Sequence, residues 1–121
     1  MSDVEQLPQN VQERLARLQQ LQGMLQSLAM QRQRLDIELS ETDRALKTLE
    51  GVPQEKRVYK SVGAILVEKP KDEIVKELTE NKELLSIRTK ALEKQETKAR
   101  ERLTSLQQTL QKELNLPPSG P

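Results

Sequence analysis

The side chains able to do chemistry in this chain are carboxylates, amines and guanidinium groups. Its 121 residues carry 20 lysines and arginines and 19 aspartates and glutamates, with no histidine and no cysteine. That excludes thiol nucleophiles, imidazole acid–base catalysis, haem ligation by histidine, Cys/His zinc sites and disulfides. The carboxylates fall into pairs such as Glu13/Arg17, Asp43/Lys47 and Glu96/Arg100. Their i,i+4 spacing is that of a solvated helix surface. Paired catalytic carboxylates need a pocket that raises one pKa, and long helices of this kind build none. No glycine-rich phosphate loop is present. The sequence therefore assigns no catalytic, cofactor-binding or metal-binding residue.

Two further classes fall away on charge and hydropathy. Lys90, Lys94, Lys98 and Arg102 form a basic stripe, but Glu93, Glu96 and Glu101 interleave it and no aromatic residue offers a stacking face. The formal net charge is +1, and no segment departs far from neutral. The expectation is a solvated face and no nucleic-acid partner. The longest apolar run, 64–67, is far below the ~20 residues of a membrane span. The opening MSDVEQ lacks the basic region and apolar core of a secretory signal. A soluble cytoplasmic protein with no membrane partner is expected.

What remains is apolar recognition. Hydrophobic residues are 34% of the chain, against roughly 45–50% in an ordinary domain counted with glycine. About half of them are leucine, and Tyr59 is the single aromatic residue. Such a chain cannot build a compact core of the usual kind. Val4, Leu7, Val11, Leu15, Leu103, Leu106, Leu110, Leu114 and Leu116 cluster towards the two ends of the sequence. If the ends meet, leucines off the main seam stay uncovered. Each buried leucine is worth about 1.5–3 kcal/mol, so the cluster is a candidate surface for an apolar partner. For Val11, Leu106 and Leu110, closure of the helices on each other is the simpler role.

The elements that position these residues are two long helices around a short non-helical centre. The first pattern runs over 8–50. One heptad position reads Val11, Leu18, Leu25, Arg32, Leu39, Leu46, and its companion reads Leu7, Arg14, Leu21, Leu28, Leu35, Thr42, Leu49. This 3.5-residue seam is that of a coiled coil. Pro8 suits a first helical turn, and Gly51 with Pro53 marks the stop. Arg32 either fixes register or packs its stem with its head in solvent. Gly23 is either a tolerated exposed glycine or a flex point. The second pattern runs over 70–114, starting at Pro70 with Asp72 and Glu73 at the positive end of the helix dipole. Leu78, Leu85, Leu92, Ala99 and Leu106 sustain one position. Its companions drift through Ile74 and Val75, then Leu84, Ile87 and Ala91, then Leu103 and Leu110. Each pattern is roughly 65 Å long at 1.5 Å per residue, so a short connection implies antiparallel helices with both chain ends together. Residues 115–121 read as a disordered tail.

Between the helices, 57–69 reads as a β-hairpin. Val58, Tyr59 and Val62 lie before Gly63-Ala64, and Ile65, Leu66 and Val67 after it. Glycine first in a two-residue loop is the type II′ turn; a buried loop is the other reading. A lone two-stranded hairpin is barely stable in water, and its open edges invite strands from other chains.

With these motifs in place, the sequence resembles the prefoldin family, specifically its archaeal beta-type subunits. The resemblance covers nearly the whole chain as one domain, 1–121. It is carried by LPQNVQERLARLQQLQ (7–22), by VYKSVGAILVEKPKDE (58–73), and by two helices of matching length. Alpha-type subunits carry two hairpins, and here there is room for one. The resemblance implies a mainly α fold, an antiparallel two-helix coiled coil whose hairpin joins an intersubunit β-barrel. It implies a hexamer of two alpha-type and four beta-type subunits. It further implies holding of unfolded proteins without ATP or any cofactor, and delivery to a group II chaperonin. On that basis Leu7, Val11, Leu110, Leu114 and Leu116 are expected at client-binding tips, with Glu5 and Glu113 as candidates for chaperonin docking. A structural coiled-coil adaptor without holding activity is the alternative.

Overall fold

The computed structural model describes residues 7–114. The order of elements is α1 (Gln9–Glu50), β1 (Val58–Val62), β2 (Ile65–Lys69) and α2 (Lys71–Glu113). Both helices start one residue later than their prolines suggest. The carbonyl of Pro8 accepts from the amides of Val11 and Gln12, and that of Pro70 from Glu73 and Ile74. Each proline thus caps its helix from just outside and satisfies amides that a helix start leaves orphaned. α1 ends in two tight i→i+3 bonds, Gly51 to Thr48 and Val52 to Leu49.

The chain divides into two compact units, a terminal one (Met1–Gln31 with Leu92–Pro121) and a central one (Arg32–Ala91). In the terminal unit Arg14, early in α1, is ion-paired with Glu113 at the end of α2, so the helices there run antiparallel. Val11, Leu21, Leu28, Ala99 and Leu110 are buried between them. Leu18, Leu25, Leu92, Leu103 and Leu106 are half-buried. In the central unit Leu49, Ile74 and Leu85 are buried, flanked by half-buried Leu35, Leu39, Leu46, Val75 and Leu78. Leu85 is the most enclosed, at 2% exposure.

The seam of α2 is regular, not drifting. The companion position is Val75, Lys82 and Thr89 in the central unit, then Glu96, Leu103 and Leu110 in the terminal unit, and none is exposed. Leu84, Ile87 and Ala91, expected to fill it, face outward instead, Ile87 at 66% exposure. Each is two residues from the nearest companion position, and about 100° per residue turns it away from the partner helix. Glu96 likewise leaves the surface assigned to it: it is buried at 5%, its carboxylate 3.9 Å from Arg100.

β1 and β2 form a two-stranded antiparallel sheet in the register Val58↔Lys69, Tyr59↔Glu68, Lys60↔Val67, Ser61↔Leu66, Val62↔Ile65. Gly63 turns the chain with φ +57°. Both mirror-image hairpin turns require a left-handed first position, which favours glycine. The sequence expectation of a hairpin over a buried loop is met.

Candidate functional site

The hairpin holds the densest group of exposed apolar side chains among the described residues. Alternation along the strands sorts them into two faces. Tyr59, Ser61, Leu66 and Glu68 share one; Val58, Lys60, Val62, Ile65, Val67 and Lys69 share the other. Tyr59, Val62, Ile65 and Leu66 are all exposed, Ile65 at 62% and Leu66 at 70%. Only Val58 and Val67 are half-buried among its apolar residues. Both outer strand edges lack a neighbouring strand within the two-stranded sheet. Unpaired edges plus uncovered apolar faces are what an intermolecular β interface requires.

Polar contacts hold this hairpin to α2. Lys60 Nζ donates to Glu77 Oε2 at 2.8 Å, and Lys69 Nζ to Glu77 Oε1 at 2.9 Å. Lys69 also lies 3.4 Å from Glu73. The two lysines hold the Glu77 carboxyl down at about 2, chiefly through the Lys60 bond and then the Lys69 bond. The Glu77 bond in turn raises the Lys69 ammonium above its usual range. The connection from α1 is tied as well. Gln54 Nε2 donates to both Asp72 oxygens at 2.8 and 2.9 Å, and Lys71 Nζ to the Val52 carbonyl at 2.7 Å. On the far side of the sheet Arg57 lies 3.7 Å from Glu68.

Below the hairpin the central unit has its own cross-helix pair. Lys82 Nζ donates to Asp43 Oδ1 at 2.6 Å, while Lys47, the i,i+4 partner expected for Asp43, sits at 3.6 Å. The Lys82 bond is the main reason the Asp43 carboxyl lies below its usual range. Arg32 donates to Asp36 one turn on, at 3.1 Å, so its head reaches along its own helix while its position stays in the seam. Thr42 sends its hydroxyl to the Glu38 carbonyl at 2.8 Å. Thr89 is buried with no hydrogen-bond partner for its Oγ1 among the described residues.

The terminal unit places the expected tip residues differently from one another. Val11 and Leu110 are each 4% exposed and belong to the seam. Leu7 and Leu114 are half-buried. Leu116, Val4 and Glu5 lie outside the described residues, as does the tail 115–121. Glu113 is engaged by Arg14. The basic stripe Lys90, Lys94, Lys98 and Arg102 is exposed, as its interleaved charges suggest. No helix among the described residues is long and apolar enough to cross a membrane.

Known proteins with this arrangement decide the family. A family model for prefoldin subunits matches residues 12–115. The chain belongs to the prefoldin family. The prefoldin beta subunit of Archaeoglobus fulgidus is 48% identical over 106 residues, covering 88% of this chain and 91% of that protein. That of Thermococcus kodakarensis is 38% identical over 117 residues, 97% of this chain and all of that protein. The crystal structure of the prefoldin beta subunit from Thermococcus strain KS-1 superposes with a TM-score of 0.83 at 40% identity, covering 91% of this chain and 96% of that one. The expectation of an archaeal beta-type prefoldin, mainly helical with one central hairpin, is borne out. Membership carries the prefoldin chaperone role.

Proposed function

We propose that the chain is one subunit of a hetero-oligomeric, ATP-independent holding chaperone. The observation that carries this reading is the hairpin. Its strands expose Tyr59, Val62, Ile65 and Leu66 beside two open edges, a surface that needs partner strands. Val58, Tyr59, Val62, Gly63, Ile65, Leu66 and Val67 form the assembly segment, which closes into a β-barrel with hairpins of an alpha-type subunit and further copies of this chain. Two alpha-type and four beta-type subunits make the hexamer. The whole chain acts as one prefoldin-type module in the cytoplasm.

Client proteins are held at the chain ends. Leu7, Leu114 and Leu116 make the first contacts, and Val11 and Leu110 join when the last turns of the helices part. Reversible burial of a few leucines, each worth about 1.5–3 kcal/mol, gives weak, exchangeable binding without nucleotide. Delivery to a group II chaperonin completes the cycle. Glu113 is a candidate docking charge, released from Arg14 on contact, and Glu5 is a second candidate.

The alternative, a coiled-coil tether, is favoured by the burial of Val11 and Leu110, which serves helix closure equally well. One experiment separates the two. The chain, assembled with its companion subunit and checked by native mass, is added to an unrelated unfolding protein with and without ATP. Equal suppression of aggregation in both arms supports the chaperone. A stable parallel dimer that suppresses nothing supports the tether.

A further inference from the structure

Nothing resembling a hydrophobic core fixes the hairpin to the rest of the central unit. Its large apolar residues are exposed, with only Val58 and Val67 half-covered. It joins α2 directly through Pro70, so without other restraints the sheet is free to swing about that joint. The shortest bonds from the strands to α2 converge on one carboxylate, Glu77, with Glu73 at 3.4 Å from Lys69 a longer second contact. Lys60 on β1 and Lys69 on β2 lie on the same face, and their ammonium groups bond to the two different oxygens of Glu77. Glu77 stands in the second turn of α2, three residues past buried Ile74, so its backbone is anchored. One strand held by one bond still pivots; two strands held by two bonds to one rigidly based group do not.

We propose that Glu77 is a positioning residue for assembly, clamping both hairpin strands to α2 so that their free edges meet the strands of neighbouring subunits at a fixed angle. Ladder hydrogen bonds between subunits are directional. A hairpin that must be oriented at each encounter loses conformational freedom on association, whereas a clamped one has already lost it. The two lysines hold the Glu77 carboxyl down at about 2, so it is ionised and the clamp closed under ordinary conditions. The inference rests on the reading that the hairpin is the assembly segment, and deepens it by naming what aims that segment.

The test uses full-length chain titrated with its companion subunit, association being read by analytical ultracentrifugation and helix content by circular dichroism. Glu77→Gln is expected to weaken association about fivefold with unchanged helix content, the scale of a lost surface charge network. Glu77→Lys, which repels both lysines, is expected to weaken it further. The quadruple variant Lys60→Glu, Lys69→Glu, Glu73→Gln, Glu77→Lys restores the clamp with reversed charges and removes the Glu73 carboxylate that would otherwise repel position 69, and is expected to recover association. A helical Glu77→Lys that associates like the unaltered chain, or a helical quadruple variant no better than Glu77→Lys, overturns the proposal. Leu66→Asp separates the underlying reading. If it associates normally, the hairpin is not the assembly segment and both ideas fail. If it abolishes association while the Glu77 variants associate normally, only the clamp fails.

Discussion

Replacing Thr89 by valine should make the protein more stable. Thr89 occupies a companion seam position of α2 and is 7% exposed, and its Oγ1 has no hydrogen-bond partner among the described residues. A buried, unsatisfied hydroxyl costs about 1–3 kcal/mol. Valine has the same branched shape and a similar helix propensity, so the change removes the polar atom without opening a cavity. Partial solvent access reduces the full penalty, leaving an expected gain of about 1 kcal/mol. Thr42 is the internal control, because it is equally buried at 7% but donates to the Glu38 carbonyl at 2.8 Å. Thr42→Val exchanges a net hydrogen bond of about 1 kcal/mol for a similar gain in apolar burial, so its effect is expected near zero. Urea unfolding followed by circular dichroism measures both. A higher midpoint for Thr89→Val at unchanged slope agrees with the reasoning. A loss of stability at position 89 would refute it, and so would equal shifts at both sites.

Other outcomes follow from the same geometry. At Gly23 an added Cβ meets nothing within 4 Å, so Gly23→Ala should raise stability by about 0.5–1 kcal/mol in the same unfolding experiment; a loss would mean the glycine is needed for bending. The Glu77 carboxyl is depressed from 4.5 to about 2, so its contribution is complete above about pH 4.5 and fades as pH falls towards 2. Lys69 is raised above 10.5, so its contribution holds below that value and fades only as pH rises through it. Emission from Tyr59, the lone aromatic residue, should therefore be flat from pH 9 to about 5 and change only in the acid range; a transition near neutrality would contradict the clamp geometry.

Much of the fold was legible because it repeats. The heptads of the first helix are mostly leucine, and every seam position described in α1 is withdrawn from full exposure. Gly63 before Ala64 located the turn, since a left-handed φ strongly favours glycine. The seam of α2 was misread because leucine alone was followed. Lys82, Thr89 and Glu96 hold the inward positions, and a pattern search for apolar residues passes over them to Leu84, Ile87 and Ala91. Partners across helices were hidden for a different reason. Asp43 has a lysine one turn on in its own helix, visible as spacing, but its shorter bond goes to Lys82, 39 residues away. That pairing depends on how the two helices slide past one another, which no local rule encodes. The Glu77 clamp needs two facts at once, the face shared by Lys60 and Lys69 and the placement of that face against α2. The edges and apolar strands of the hairpin were readable from sequence; what aims them was not.

The central claim is that unfolded chains are held by the leucines at the chain ends. Its most direct test is aggregation suppression by the assembled complex carrying Leu7→Ser, Leu114→Ser and Leu116→Ser in this subunit. These positions are half-buried or lie beyond the described seam, so helix content and assembly should survive. The account predicts an intact oligomer by native mass that no longer protects an unrelated unfolding protein. An intact oligomer that protects as fully as the unaltered complex would contradict it.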